Sequence, residues 1–169
     1  MHVTAAAILL AGGVWARDVA VETGDGRIVL RLTPINRTIT ESDMAKGSQS
    51  NAVSCAFLFY SQLATGDISA AVACASDPAA MADRYRRLLK ASGTDAFRQE
   101  AKAFFTSKLL IKGSVEIGDE TMLIVRSAQG EVAQYYQKKA GRFFVTDTPA
   151  ARKNFQNAQV QISMGHLAF

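Results

Sequence analysis

Just past Ser107 the spacing of apolar side chains changes from every third or fourth residue to every second, and no other feature limits the fold as tightly. Before that point Val53, Ala56, Phe57, Tyr60, Leu63 and Ala64 recur along one face of a helix that Gly66 ends. Asp67 is placed to cap a short second helix containing Ile68, Ala71 and Val72. Asp77 and Pro78 start a third, because the carboxylate accepts an open backbone N–H and proline occupies a first-turn position that needs none. Its stripe is Met81, Tyr85, Leu88 and Leu89, opposite Asp83, Arg84, Arg87 and Lys90, and Gly93 terminates it. Thr94 opens the next helix, in which Phe97, Ala101, Phe104 and Phe105 face inward. After Ser107 the alternating segments 109–117, 121–127, 131–139 and 142–146 are separated by Gly118-Asp119, Ala128-Gln129-Gly130 and Ala140-Gly141. Connections that short force neighbouring strands antiparallel, so the expected arrangement is a meander with one face packed on the helices.

The ends carry weaker signals. Val19, Val21 and Thr23, then Gly24-Asp25-Gly26, then Ile28, Leu30 and Leu32 read as a strand pair around a turn. Residues 34–49 are polar and read as a long connection or flap. Asp147-Thr148-Pro149 can start a helix through Phe155, beyond which no period decides between a capping helix and an added edge strand.

A chain of 169 residues suits one domain, and 49% hydrophobic with 20% charged residues is the composition of a folded chain. Nineteen Lys and Arg against fifteen Asp and Glu give net charge +4. The excess is diffuse: Arg84, Arg86, Arg87 and Lys90, then Lys138, Lys139 and Arg142, read as solvated faces. A nucleic-acid partner is not favoured, since it would need a broad basic face with aromatics between the charges.

The apolar run 5–16, followed by Arg17-Asp18, has the length of a signal-peptide core and is too short to span a bilayer. No Lys or Arg precedes it, and the alternatives are a true start upstream of Met1, a retained membrane-associated segment, or a buried strand or helix. The expected organisation is a leader at 1–16, a strand pair and connection at 17–49, and a domain at 50–169 that forms one globular unit with 17–49. Export to the bacterial periplasm or the extracellular space is expected, with a cytoplasmic location open, and leader removal leaves no stable transmembrane span.

Cys55 and Cys74 are the only cysteines, and neither belongs to a Cys-x-x-Cys pair. With His2 and His166 as the only histidines, no zinc site is expected. In an oxidising compartment a Cys55–Cys74 disulfide would stabilise the fold by about 3 kcal/mol; the alternative is two small buried thiols. No phosphate-binding glycine loop, dinucleotide fingerprint or calcium-loop spacing occurs, so no cofactor or metal is expected.

In order, the helix with Phe57, Tyr60 and Leu63, the Gly66-Asp67 break, a further helix pair and a sheet starting near Leu109 resemble the nuclear-transport-factor-2-like superfamily over residues 52–146. The resemblance implies an α+β fold in which a curved antiparallel sheet packs against the N-terminal helices as a cone. It also implies a cavity, with Tyr60, Met81, Tyr85, Phe104, Leu123, Tyr135 and Phe144 as candidate lining. At these spacings the same side chains also fit an ordinary core. Enzymes of that superfamily use a cavity carboxylate, sometimes with a tyrosine, and no Asp or Glu here matches the pattern. Glu116, Asp119 and Glu131 lie near turns, while Asp67 and Asp77 have capping roles. No catalytic residue is therefore assigned.

The leading expectation is an exported, noncatalytic domain that binds a small molecule, peptide or protein, with a homodimer through the sheet face as a further option. The alternatives are a small isomerase or cyclase using a cavity carboxylate with Tyr60 or Tyr135, and a structural subunit of an envelope assembly.

Overall fold

The computed structural model describes residues 15–23, 26–106, 108–127 and 130–169, without the side chains of residues 22, 23 and 104–106. The leader expected at 1–16 lies outside this description except for Trp15 and Ala16, as do Gly24, Asp25 and the Phe104 ring. Two strands come first, β1 (Arg17–Thr23) and β2 (Gly26–Thr38). Five helices follow: α1 (Glu41–Met44), α2 (Ala52–Thr65), α3 (Ile68–Ala73), α4 (Pro78–Ser92) and α5 (Thr94–Thr106). Four strands, β3 (Leu110–Ile117), β4 (Glu120–Ser127), β5 (Gly130–Lys139) and β6 (Arg142–Thr146), lead to α6 (Pro149–Ser163).

The helix starts follow local chemistry. Asn51, Asp67, Asp77 and Thr148 each accept a backbone N–H with their side chains, at 2.8 to 3.1 Å, at the heads of α2, α3, α4 and α6. Proline occupies the first turn of both α4 and α6, where no intrahelical N–H is lost. Gly66 closes α2 in a left-handed conformation at φ 78°, one that costs a side chain with a Cβ free energy. Residues 34–49 are more ordered than their polarity predicts. β2 runs on through Thr38, and Thr40 and Asp43 form a capping box that starts α1.

The six strands form one antiparallel sheet in sequence order, with β1 and β6 at its ends. The expected meander is present in β3 to β6, but the cone is not: the sheet is open and is not curled on itself. The resemblance to the nuclear-transport-factor-2-like superfamily therefore fails at its defining feature. The reason lies in β4, where Thr121, Met122, Leu123, Ile124 and Val125 are all buried. A strand that is apolar at consecutive positions is buried on both faces. Leu123 and Val125 enter a core with α2, α3, α4 and α5, while Met122 and Ile124 enter a second core with Phe155 and Ala158 of α6 and Leu167 of the tail. A helix covers each face, where the superfamily pattern implied a single helix-packed concave face.

Two bulges make this exchange of faces possible. Register shifts between Pro34 and Arg37 in β2 and between Ile111 and Gly113 in β3 lie beside each other. A bulge inserts one residue and so reverses the side-chain alternation beyond it. Ile111 accordingly packs in the first core and Val115 in the second, although they stand four positions apart. Asn36, at φ 47°, occupies the β2 bulge, and asparagine tolerates that left-handed conformation better than most side chains. Among the described residues no helix is long and apolar enough to cross a membrane.

Candidate functional site

The outer edge of β6 is covered along its middle. Phe143 donates its N–H to Gln49 O at 2.9 Å, and its carbonyl accepts from Cys55 Sγ at 3.2 Å. Val145 N–H donates to Cys74 O at 2.9 Å, and Ser76 N–H donates to Val145 O at 2.8 Å. The segment leaving α3 thus lies along β6 as a strap, bridging it in parallel at Ala75. β6 is only five residues long and pairs with Tyr135 to Lys139 of β5. The chain then leaves the sheet at Asp147 and enters α6. Residues 130–134 of β5 consequently have β4 on one side and no strand on the other.

A cleft of about 490 Å³ lies along this open stretch, between α4 with the middle of α2 on one side and α6 on the other. Its apolar wall is built by helical spacing: Phe59 and Tyr60 come from α2, Met81 and Tyr85 from α4, and Tyr136 from β5. The rings contact one another, with centroids 6.5 Å apart for Phe59 and Tyr85 and 5.7 Å apart for Phe59 and Tyr60. Phe97 of α5 supports Tyr85 from behind, edge-on at 5.7 Å. On the opposite wall Tyr135 lies 5.9 Å from Phe155 and donates to Gln159 Oε1 at 3.1 Å. Tyr136 donates to Gln134 Oε1 at 3.0 Å.

Burial sets the protonation of these phenols. It pushes Tyr60 and Tyr136 far above the ordinary tyrosine range and Tyr85 up to about 12, and it also raises Tyr135. A phenolate would lose its hydration, so the neutral form persists at neutral pH, with the Tyr135 and Tyr136 hydroxyls donating to Gln159 and Gln134.

Charge is confined to the rim. Asp147, at the point where β6 ends, is shared by two guanidiniums. Arg84 of α4 engages Oδ2, and Arg152 of α6 places Nε 2.7 Å from Oδ1. One carboxylate against two cations leaves this corner net positive. At the other end Glu131 accepts from Lys112 Nζ at 2.9 Å and from Arg126 Nη2 at 2.6 Å. The Arg126 and Lys112 hydrogen bonds hold the Glu131 carboxyl below the ordinary range. Asp43, the buried acid, is engaged by Thr40 and Arg37 at α1 and does not line the cleft.

Of the seven candidate lining residues, the structure brings Tyr60, Met81, Tyr85 and Tyr135 together in the cleft. Leu123 is instead fully buried in the first core. Phe144 is half-buried on β6 with the Arg142 guanidinium 5.6 Å from its ring centroid, outside the cleft. The Phe104 side chain lies outside the described residues. Cys55 and Cys74 are both buried free thiols, with no disulfide between them, and burial pushes Cys55 up to about 12. Cys74 Sγ donates to Ala70 O at 3.4 Å.

The sequence reading missed Phe59, Tyr136, Arg84, Asp147 and Arg152. Phe59 and Tyr136 sit next to residues already singled out, and only their adjacency hints at them. The ion triplet joins α4 to α6 across the free end of the sheet and leaves no local signal. Among the described residues no group of three or more His, Cys, Asp and Glu is placed to hold a metal ion.

No family model matches the chain, and no curated protein and no solved structure matches it at a significant level.

Proposed function

We propose that this chain is a noncatalytic binding domain whose ligand site is the cleft beside residues 130–134 of β5. The observation that carries the proposal is one arrangement: an aromatic and thioether wall faces an open volume of about 490 Å³ whose rim holds two arginines on a single aspartate. Ligand sites are typically concave and mostly apolar, with a few polar groups that orient the guest, and this volume falls in their usual range. Buried phenols held neutral make this wall polar in places without adding charge.

The competing isomerase or cyclase reading needs a desolvated carboxylate aimed at open space, with its pKa raised toward neutrality. Both acids at the cleft are instead held by cations, Asp147 by Arg84 and Arg152 and Glu131 by Lys112 and Arg126. That arrangement favours binding over proton transfer. Export belongs to the same proposal, motivated by the apolar run 5–16, and a mature chain beginning near Arg17 in protein from its native compartment would support it.

The test is titration with the uncharged apolar fluorophore N-phenylnaphthylamine. A saturable, one-site rise in emission is expected, and Met81→Trp, which pushes an indole into the apolar wall of the cleft, should weaken it about 10-fold, or ~1.4 kcal/mol. Unsaturable emission, unchanged by Met81→Trp in a variant that melts like the parent, would remove the proposal.

A further inference from the structure

We infer that the occupant of the cleft is an extended peptide that runs parallel to β5, adds a strand along residues 131–134, and ends in its C-terminal carboxylate at Arg84 and Arg152. The inference rests on the cleft being a binding site. It goes further because the open side of β5 is a row of backbone groups, which an apolar small molecule cannot satisfy.

The direction of those groups follows from β6. Phe143 and Val145 spend their N–H and C=O groups outward, on Gln49, Cys55, Cys74 and Ser76. In an antiparallel pair the N–H and C=O of one residue point to the same side, and successive residues alternate. Arg142, Phe144 and Thr146 therefore face β5, and their partners Lys139, Gln137 and Tyr135 face β6. The same alternation turns Glu131 and Ala133 toward the cleft. No described residue hydrogen-bonds to their backbone groups on that side.

The stretch offers about four residues of edge, roughly 13 Å at strand rise. Strand addition to such an edge takes affinity from main-chain hydrogen bonds and specificity from pockets for alternate side chains. Here the walls supply both kinds of contact. Side chains on one face of the added strand would meet Met81 and Tyr85, and those on the other would meet Tyr135 and Gln159.

Polarity comes from the blocked end. The line of the added strand runs into Thr146, which already pairs with Tyr135, and then into Asp147, so a peptide must terminate there. A parallel peptide arrives with its carboxylate and an antiparallel one with its amine. Two guanidiniums against one aspartate select the carboxylate, and arginine matches that planar group with paired N–H donors. Val132, 39% exposed on the same stretch, is an apolar contact for the incoming strand.

The experiment pans random octapeptides displayed with free C-termini against the full chain, then compares each enriched peptide as free acid and as C-terminal amide. The free acid is expected to bind saturably, with the amide and the Arg84→Ala/Arg152→Ala double variant each weaker about 10-fold or more. On binding, hydrogen exchange should slow at the amides of Glu131 and Ala133. Equal binding of acid and amide, or no slowing at those two amides, overturns the inference. Absence of enriched peptides while N-phenylnaphthylamine still binds in the cleft also overturns it and leaves the binding-site reading standing. Failure of both probes removes that underlying reading first. The double variant changes half-exposed side chains, and its melting curve separates lost recognition from lost fold.

Discussion

Two neighbouring stretches of one sheet edge are treated in opposite ways. Along β6 the outward groups of Phe143 and Val145 are taken by Gln49, Cys55, Cys74 and Ser76. A few residues further along the same side, β5 is left without a strand beside Glu131 and Ala133. An uncovered edge is a template for pairing with any extended chain, so folds usually pair it, cover it or charge it. The covered stretch has little exposure and its polar groups must be satisfied from within. The open stretch borders an open cleft with Arg126, Glu131 and Lys112 nearby, so its backbone groups can be hydrated and charge guards the edge. The contrast separates what the fold needs from what it can lend to a partner.

The largest expected effect tests this directly. Val145→Pro removes the N–H that holds Cys74 O and forces a ring into a buried, paired strand, and should cost about 4 kcal/mol in urea unfolding. Ala133→Pro, on the open stretch, should cost only about 1 kcal/mol, because its N–H has no partner to lose. Similar losses at the two positions would break the comparison.

Cys55→Ala comes next. It leaves Phe143 O without its thiol donor and opens a small void, for an expected loss of about 2 kcal/mol. It also tests pH dependence. The thiol is pushed from 9.0 to about 12 by burial in the folded state, so its contribution is complete below pH 9 and fades as pH rises toward 12. Thermal midpoints measured across that window should fall less steeply in Cys55→Ala than in the parent, with the buried tyrosines supplying the remaining slope.

Asp77→Ala should cost about 1 kcal/mol by removing the α4 cap, and it should loosen the helix that carries Met81, Arg84 and Tyr85. Binding of the fluorophore should weaken in step; stability lost with binding intact would mean that α4 is not a wall of the site. The smallest effect belongs to Glu131. Hydrogen bonds from Arg126 and Lys112 depress its pKa, so its contribution is present above the ordinary carboxylate range and lost as pH falls through the depressed value. The pair network is exposed, and Glu131→Gln should flatten acid unfolding only slightly.

Much of this architecture is legible in the residues. Asp67, Asp77-Pro78 and Thr148-Pro149 mark helix starts through chemistry complete within four residues, and Gly118, Gly130 and Gly141 separate strands whose ends fall within a residue or two of expectation. Less is legible where local chemistry meets a distant partner. The polar stretch after Pro34 extends β2 because β3 lies beside it with a matching bulge. The cone failed because a second helix-packed face depends on where α6 docks, and no local period states that. Within the site, Tyr60, Met81, Tyr85 and Tyr135 were visible as aromatic or thioether positions on helix and strand faces, yet Leu123 has the same character and is core. Arg84 looked like one cation on a solvated face until Asp147 and Arg152 were brought to it.

The order of α2 to α5 and of β3 to β6, the caps at Asp67, Asp77 and Thr148, and the antiparallel path of the second half were determined by the sequence itself. Each depends on side chains within a turn or a hairpin of one another. Tertiary structure alone decided that both sheet faces are covered, that the strap from Cys74 to Ser76 closes one length of edge, and that Glu131 and Ala133 keep theirs. A backbone N–H or C=O is the same at every position of a strand, so whether it is paired depends on which distant segment reaches it.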